Sequence, residues 1–312
     1  MSEQQQNEQE LFFRITEDLE GERLDKAAGM LAEAFSRTYL KKLTLEGRVL
    51  VNGAFEKCSY RVKDGDEVFI RLPDPIRLAV KAQDIPLDIL YEDDDVIIIN
   101  KPKGMVVHPA PGHMEGTLVN ALMFHCKDQL SAINGILRPG IVHRIDMNTT
   151  GSVMACKNDL AHCSIAKQLK QHTVTRRYHA ICDGVIPSDS GTIHKAIGRD
   201  PNNRFRMAVV PNGQGKDAIT HYEVIRRFGQ YTYIICTLET GRTHQIRVHL
   251  SSIGFPLLGD TLYGNPHPPF HLHGQTLHAK ILGFEHPRTK EYLEIDTPLP
   301  EYFVSLLEKQ LL

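Results

Sequence analysis

The sequence predicts an α+β protein in two parts, a small N-terminal module and a larger domain from about residue 85 to residue 312. Three observations carry that expectation. The first 75 residues run through helical and then strand-like patterns. Pro73, Pro75 and Pro86 then mark a stiff connection. Beyond it, residues 231–238 alternate and are rich in β-branched and aromatic side chains, whereas Ile246, Leu250 and Ile253 recur at helical spacing. The expected division is a disordered tail over 1–15, the module over 16–75, a linker over 76–84 and the second domain over 85–312.

In the tail, residues 1–10 are polar and acidic, too poor in apolar side chains to order themselves. Residues 22–26 open a helical pattern that runs to about Phe35, and Ser36-Arg37 caps a second helix through Leu45. Residues 49–53 make a strand and turn, and the Asp64-Gly65-Asp66 turn leads into a closing strand over 67–70.

Two segments of the larger domain carry chemistry. Residues 143–151 (His143, Arg144, Ile145, Asp146, Met147, Asn148, Thr149, Thr150, Gly151) put one carboxylate beside a guanidinium in a hydroxyl-rich turn closed by glycine. Apolar runs over 140–142 and 152–156 flank it, so Asp146 is expected where two buried strands meet a tight connection. Asp, Asn and Thr are also ordinary turn-formers, so the loop alone does not decide. The second segment, residues 238–250, packs Arg242, His244, Arg247 and His249 into eight residues. Gly241-Arg242-Thr243 reads as a strand-to-helix corner with Thr243 as the cap. On the helix that follows, His244 and Arg247 share a face. Such residues form either a solvated basic face or a guanidinium buried against a carboxylate.

These segments and their surroundings resemble the RluA/RluD family of RNA pseudouridine synthases over nearly the full chain. The resemblance covers residues 85–93, 100–109, 116–120, the 143–151 loop, Arg177-Tyr178, and residues 197–201, 241–249, 254–260 and 262–264. Several ordered motifs at family-like spacing are far more specific than any one. The family's loop often has Leu where this chain has Ile145, and Lys-Asp or similar residues at Met147-Asn148, positions that vary within the family.

The resemblance implies a catalytic domain with a mainly antiparallel sheet flanked by helices, crossed by the active cleft. It implies that Asp146 is the essential aspartate, Tyr178 the tyrosine lying against the uracil ring, and Arg247 the arginine paired with the aspartate. The chemistry fits those residue types. Isomerising uridine to pseudouridine breaks the bond from ribose to ring nitrogen, turns the uracil and joins the sugar to a ring carbon. A carboxylate can attack the ribose or remove a sugar proton to give a glycal-like intermediate, and both routes stay open. A guanidinium keeps a buried carboxylate ionised. A tyrosine can stack on uracil and carry a hydrogen bond at its edge, although in an apolar strand it also reads as a core residue. The target base must be flipped out of its stack at a cost of a few kcal/mol. Substrate-binding roles are expected for His143, Arg144, Thr149, Arg177, Arg242 and His244.

The resemblance also makes the N-terminal part an αL RNA-binding module, with Ser36, Arg37, Lys41, Lys42 and Arg48 facing phosphates or forming a solvated helix face. Family members with this module often act on large-subunit (23S) ribosomal RNA, so a uridine there is the expected substrate, with tRNA uridines as the alternative. RNA is the expected partner of a cytoplasmic monomer without cofactor.

Composition bounds these readings. With 41% apolar residues among 312, the chain can build a sizeable core. Its net charge, 36 − 38 = −2, excludes a simple electrostatic nucleic-acid binder. The charge is uneven: residues 167–206 hold eight Lys/Arg against three Asp around Tyr178, a surplus of five. The six cysteines form no close pair of the zinc or redox kind, and no stretch reaches the ~20 apolar residues of a membrane helix. His267, His271, His273 and His278 suggest a metal-dependent hydrolase, but spacing, missing carboxylates and Pro268-Pro269 argue for a loop without metal.

Overall fold

Separate apolar cores organise the two parts of the chain in the computed structural model, which describes residues 9–32, 35, 37–72, 80–109, 112–127, 129–131, 139–203, 205–211 and 213–310. The chain divides into two compact units, residues 1–80 with 131–139, and residues 81–130 with 140–312.

The first unit contains β1 (Gln9–Arg14), α1 (Leu24–Leu31), α2 (Arg37–Leu45), β2 (Val49–Val51), β3 (Ala54–Phe55) and β4 (Glu67–Leu72). Its antiparallel sheet has the order β1-β4-β2-β3. Leu24, Ala27, Leu40 and Leu43 from the helices pack on Val49, Val68 and Ile70 from the sheet. Helical and period-two spacing put these side chains on the inner faces. One expectation fails here, because β1 occupies much of the supposed tail. Leu11 and Phe13 pack against the core, and Phe12 meets Phe69 of β4 with ring centroids 4.8 Å apart. Apolar alternation outweighs the acidic composition before it. Lys41 and Lys42 are exposed on α2, Lys42 lying 3.6 Å from Glu46, and Arg48 is half-buried. Ser36 lies outside the described residues, as do the side chain of Arg37 and linker positions Pro73 and Pro75.

The second unit begins with β5 (Ile89–Glu92), β6 (Val96–Lys101), α3 (Leu118–Cys126), β7 (Thr150–Cys156) and α4 (Asp159–Lys170). It continues through β8 (Thr175–Asp183), β9 (Ser190–His194), β10 (Ile197–Arg199), β11 (Met207–Val209), β12 (Ile219–Phe228) and β13 (Tyr231–Leu238). It closes with α5 (Gln245–Ser252), β14 (Leu277–Glu285), β15 (Tyr292–Asp296) and α6 (Glu301–Ser305). A nine-stranded sheet has the order β5-β6-β7-β14-β8-β13-β12-β9, with β15 paired to β14. Only β7 and β14 run parallel, so the sheet is mainly antiparallel as expected.

The central strands are covered on both faces, which explains their continuous apolar character. On one face Ile97, Ile99, Val153 and Ala155 pack with Leu118 and Leu122 of α3 and Leu250 of α5. On the other, Val96, Ile98, Met154 and Cys156 pack with Ala161 and Ile165 of α4. The two faces alternate along β6 and β7 with the pleat. Gly151 lies where β7 meets β14: it has φ +104°, and a Cβ there would come within 2.3 Å of the Ala279 carbonyl oxygen. The glycine that closes the 143–151 loop therefore permits the sheet to close beneath it.

Candidate active site

Asp146 is held from below by backbone bonds that converge on its loop. The Thr149 N–H donates to the Asp146 carbonyl at 3.0 Å, and the Gly104 N–H donates to Met147 O at 3.0 Å. Lys101, fully buried at the end of β6, donates to the carbonyls of Pro102, Met105 and Met147 at 2.7, 2.9 and 2.9 Å. Three acceptors match the three N–H bonds of an ammonium group. Burial pushes Lys101 down to about 7, against the pull of Asp146. Residues 140–142 do not form the expected strand; Ile141 makes only an isolated bridge to Ala155. Asp146 thus sits on an irregular entry to β7 rather than between two strands.

Arg247 reaches this carboxylate from α5. Its Nη1 donates to Asp146 Oδ2 at 3.0 Å, while Nε and Nη2 grip Asp260 at 2.7 and 2.9 Å. Burial alone would lower the guanidinium's pKa, but Asp260 and then Asp146 outweigh it and raise the value. The bidentate pair fixes the arginine and leaves its remaining amino group for Asp146. Helix α5 starts differently from expectation: its cap is His244, in a left-handed conformation with φ 57°, and not Thr243. The Gln245 side chain ties the corner by accepting from Arg242 N–H at 2.9 Å and from the Thr240 hydroxyl at 2.8 Å. That turn aims His244 Nε2 toward Asp146, 3.9 Å away, while Tyr263 hydrogen-bonds its Nδ1 at 2.8 Å. Burial lowers the His244 pKa, opposed by Asp146, which favours the neutral ring.

A cavity of about 490 Å³ opens over Asp146, within the size range of ligand sites. Tyr178 lies in its wall, and burial raises the phenol's pKa despite the nearby Arg176. The structure therefore brings Asp146, Tyr178 and Arg247 to one cavity, with Arg144, Thr149, Arg242 and His244 also lining it.

Other expected residues fall elsewhere or serve the frame. Arg177 is exposed and does not line the cavity; Arg176 does, because period two along β8 places residues 176 and 178 on one face and 177 on the other. His143 lines the wall, but its Nε2 accepts from Met154 N–H at 3.0 Å and burial pushes it down to about 4, so it is a neutral prop for β7. The Thr149 hydroxyl is buried and accepts from Gln275 at 3.0 Å. Asp260, Lys101 and Tyr263 escaped sequence reasoning as site residues, although Asp260 and Tyr263 stand in the 254–260 and 262–264 motifs.

The C-terminal histidines do not assemble. His278 is buried in β14 between the Thr150 hydroxyl and the Thr297 carbonyl, at 2.8 and 3.3 Å. Among the described residues, potential metal donors gather at Glu92, His125 and Cys126 and at Asp93, Asp95 and His286, away from residues 267–278. Ion pairs to Lys157 and Arg288 engage the carboxylates Glu92 and Asp95.

A carboxylate locked to a buried arginine, beside a tyrosine in one cavity, suits an enzyme that acts on a sugar and holds a flat ring. The comparisons agree. The sequence profile of the RNA pseudouridylate synthase family matches residues 95–252. The uncharacterized RNA pseudouridine synthase YlyB of Bacillus subtilis is 52% identical over 293 residues, covering 94% of this chain and 95% of that one. Ribosomal large subunit pseudouridine synthase D of Zymomonas mobilis is 44% identical over 296 residues, covering 92% and 93%. The solved structure of human RNA pseudouridylate synthase domain containing 1 aligns with a TM-score of 0.57 and 26% identity, over 69% of this chain and 84% of that one. The chain belongs to the RNA pseudouridylate synthase family. It is an RNA pseudouridine synthase, an isomerase that acts on uridine in RNA.

Proposed function

We propose that the protein isomerises a uridine of large-subunit (23S) ribosomal RNA, with Asp146 acting on the ribose, Arg247 holding it and Tyr178 lying against the uracil. The observation that carries the roles is the 3.0 Å bond from Arg247 to Asp146 at the floor of the cavity, with Tyr178 in its wall. The ribosomal target draws support from relatives named ribosomal large subunit pseudouridine synthase D that match over most of their length.

The uridine enters flipped out of its stack, with its ribose toward Asp146 and its ring toward Tyr178. In one route the carboxylate attacks the ribose and forms an ester as the bond to the ring nitrogen breaks, and that ester breaks when the turned uracil's ring carbon bonds the sugar. In the other the carboxylate takes a sugar proton as the bond to nitrogen breaks and returns it when the ring carbon bonds the glycal. In both, the ring carbon's hydrogen leaves as a proton and the freed ring nitrogen takes one up. Arg247 balances the carboxylate's charge, and Arg144, Arg242 and His244 stand around the entering nucleotide. Lys41, Lys42 and Arg48, with Ser36 and Arg37, hold flanking RNA in the N-terminal module, and residues 76–84 link that module to the catalytic domain over 85–312. The protein works as a monomer in the cytoplasm, where ribosomal RNA is assembled. Comparing pseudouridines in RNA from cells with and without the gene tests the target. Loss of a large-subunit ribosomal site is expected, whereas loss confined to tRNA overturns the assignment.

A further inference from the structure

Arg176 is a buried guanidinium in the cavity wall without a carboxylate of its own. It is 8% exposed, and its Nη2 donates to the Glu239 carbonyl at 2.8 Å, an oxygen that also meets His172 Nδ1 at 2.6 Å. Its Nε has no hydrogen-bond partner. The Glu239 carboxylate is turned away and pairs with His221 at 2.6 Å. Among the described residues no carboxylate pairs with Arg176. Burial lowers its pKa, opposed by Tyr178, and Arg242 adds a smaller push in the same direction as burial.

The chain also makes room for this group. A Cβ on Gly241 would lie 2.6 Å from Arg176 Nη1, yet Gly241 has no positive φ to require glycine. The space is needed by the guanidinium and not by the backbone. The cavity wall as a whole carries Arg144, Lys170, Arg176, Arg242 and Arg247 against one carboxylate, Asp146. Arg247 is neutralised by Asp146 and Asp260, so the excess positive charge of the wall lies on Arg144, Lys170, Arg176 and Arg242. A buried cation kept at such cost is explained by an anion that arrives with the substrate.

We propose that Arg176, with Arg242 and Lys170, forms a subsite for a backbone phosphodiester next to the flipped uridine. This rests on the reading that structured RNA delivers a uridine to Asp146. Arg176 and Tyr178 are two residues apart on one face of β8, so base and phosphate would be held by a single rigid strand. The guanidinium fork matches two phosphate oxygens, and Gly241 leaves Nη1 room to adjust.

The test is a cycle between Arg176→Gln and RNA carrying one neutral methylphosphonate at either phosphate flanking the target, on an RNA that the wild-type protein converts. Wild type should bind one methylphosphonate RNA about ten- to a hundredfold more weakly, and R176Q should lose nothing further there. R176Q should also lower the slope of log affinity against log salt by about 0.7–0.9, one phosphate's worth. Gly241→Ala, which displaces the guanidinium without removing its charge, should weaken binding alone but add nothing to R176Q; it carries the test if R176Q does not fold. An unchanged salt slope in R176Q, or an equal methylphosphonate penalty in both proteins, overturns the subsite. Inorganic phosphate that binds wild type but not R176Q and leaves RNA affinity and the methylphosphonate penalty unchanged would overturn it in favour of a free-anion site. A wrong ribosomal target shows differently, as ribosomal transcripts that wild type does not convert and that therefore never enter the cycle.

Discussion

Replacing Asp260 by Asn should disable the enzyme without touching any residue that reaches the ribose. Asp260 is 1% exposed and grips Arg247 through two bonds at 2.7 and 2.9 Å. Its Oδ1 also accepts from the N–H groups of Leu262 and Tyr263, at 3.1 and 3.2 Å. Asparagine keeps the volume and one acceptor, so it can preserve the turn, but its amide NH₂ opposes a guanidinium N–H. Breaking one partner of a buried pair costs about 3–5 kcal/mol. In a domain of about 150–250 residues each kcal/mol moves the melting temperature by about 2–4 °C, which gives a fall of roughly 6–20 °C. Arg247 then pivots on its single bond to Asp146, and misplacement by about 1 Å costs on the order of a hundredfold in rate. Thermal melts and single-turnover tritium release from RNA labelled at uridine C5 measure both quantities. Wild-type melting together with wild-type turnover would refute the view that Asp260 fixes the arginine.

Other expectations follow from the same geometry. Arg247→Met should lower turnover at least as far as Asp260→Asn, and the double variant should cost no more than Arg247→Met alone; additive losses in a double-mutant cycle would separate the two residues. Lys101→Met strips the donor from the carbonyls of Pro102, Met105 and Met147 and should loosen the loop that carries Asp146, seen as lower stability and turnover; a melt identical to wild type would contradict it. Lys101 also has a pH signature. Its folded value of about 7 lies below the ordinary 10.5, so between these values the unfolded chain binds a proton that the folded chain has released. Stability from this group therefore rises with pH across that window, by up to about 1.4 kcal/mol per unit, and denaturant titrations should find the rise missing in Lys101→Met. Turnover should withstand excess chelator, because Asp146, Arg247 and Tyr178 supply the groups the isomerisation uses; activity lost to chelator and restored by zinc would revive a metal-dependent reading.

The sequence made the fold legible wherever one local period dominated. Residues 231–238 alternate cleanly and form β13 with the same limits. The spacing of Ile246, Leu250 and Ile253 marked α5, but its first turn was misread because the cap is a left-handed His244, a conformation that residue type does not announce. Strand β1 was missed because its short apolar run follows an acidic stretch and becomes a strand only by pairing with β4, more than fifty residues away. At the site, the motifs identified Asp146 and Arg247, which are separated by 101 positions yet meet at 3.0 Å. They could not show that Asp260 takes the rest of the guanidinium, since that depends on how the turn after α5 folds back. Arg177 differs: alternation along a strand holding Tyr178 puts Arg176, and not Arg177, in the cavity wall.

The most direct measurement of the central claim is pseudouridine formation in a large-subunit ribosomal RNA transcript by purified wild type and Asp146→Asn, followed as tritium release and located by mapping. The amide keeps the shape of the side chain but loses its charge and nucleophilicity, so wild type should convert at least one uridine while the variant folds, binds the RNA and converts none. Appreciable conversion by Asp146→Asn would remove this carboxylate from the reaction and contradict the account.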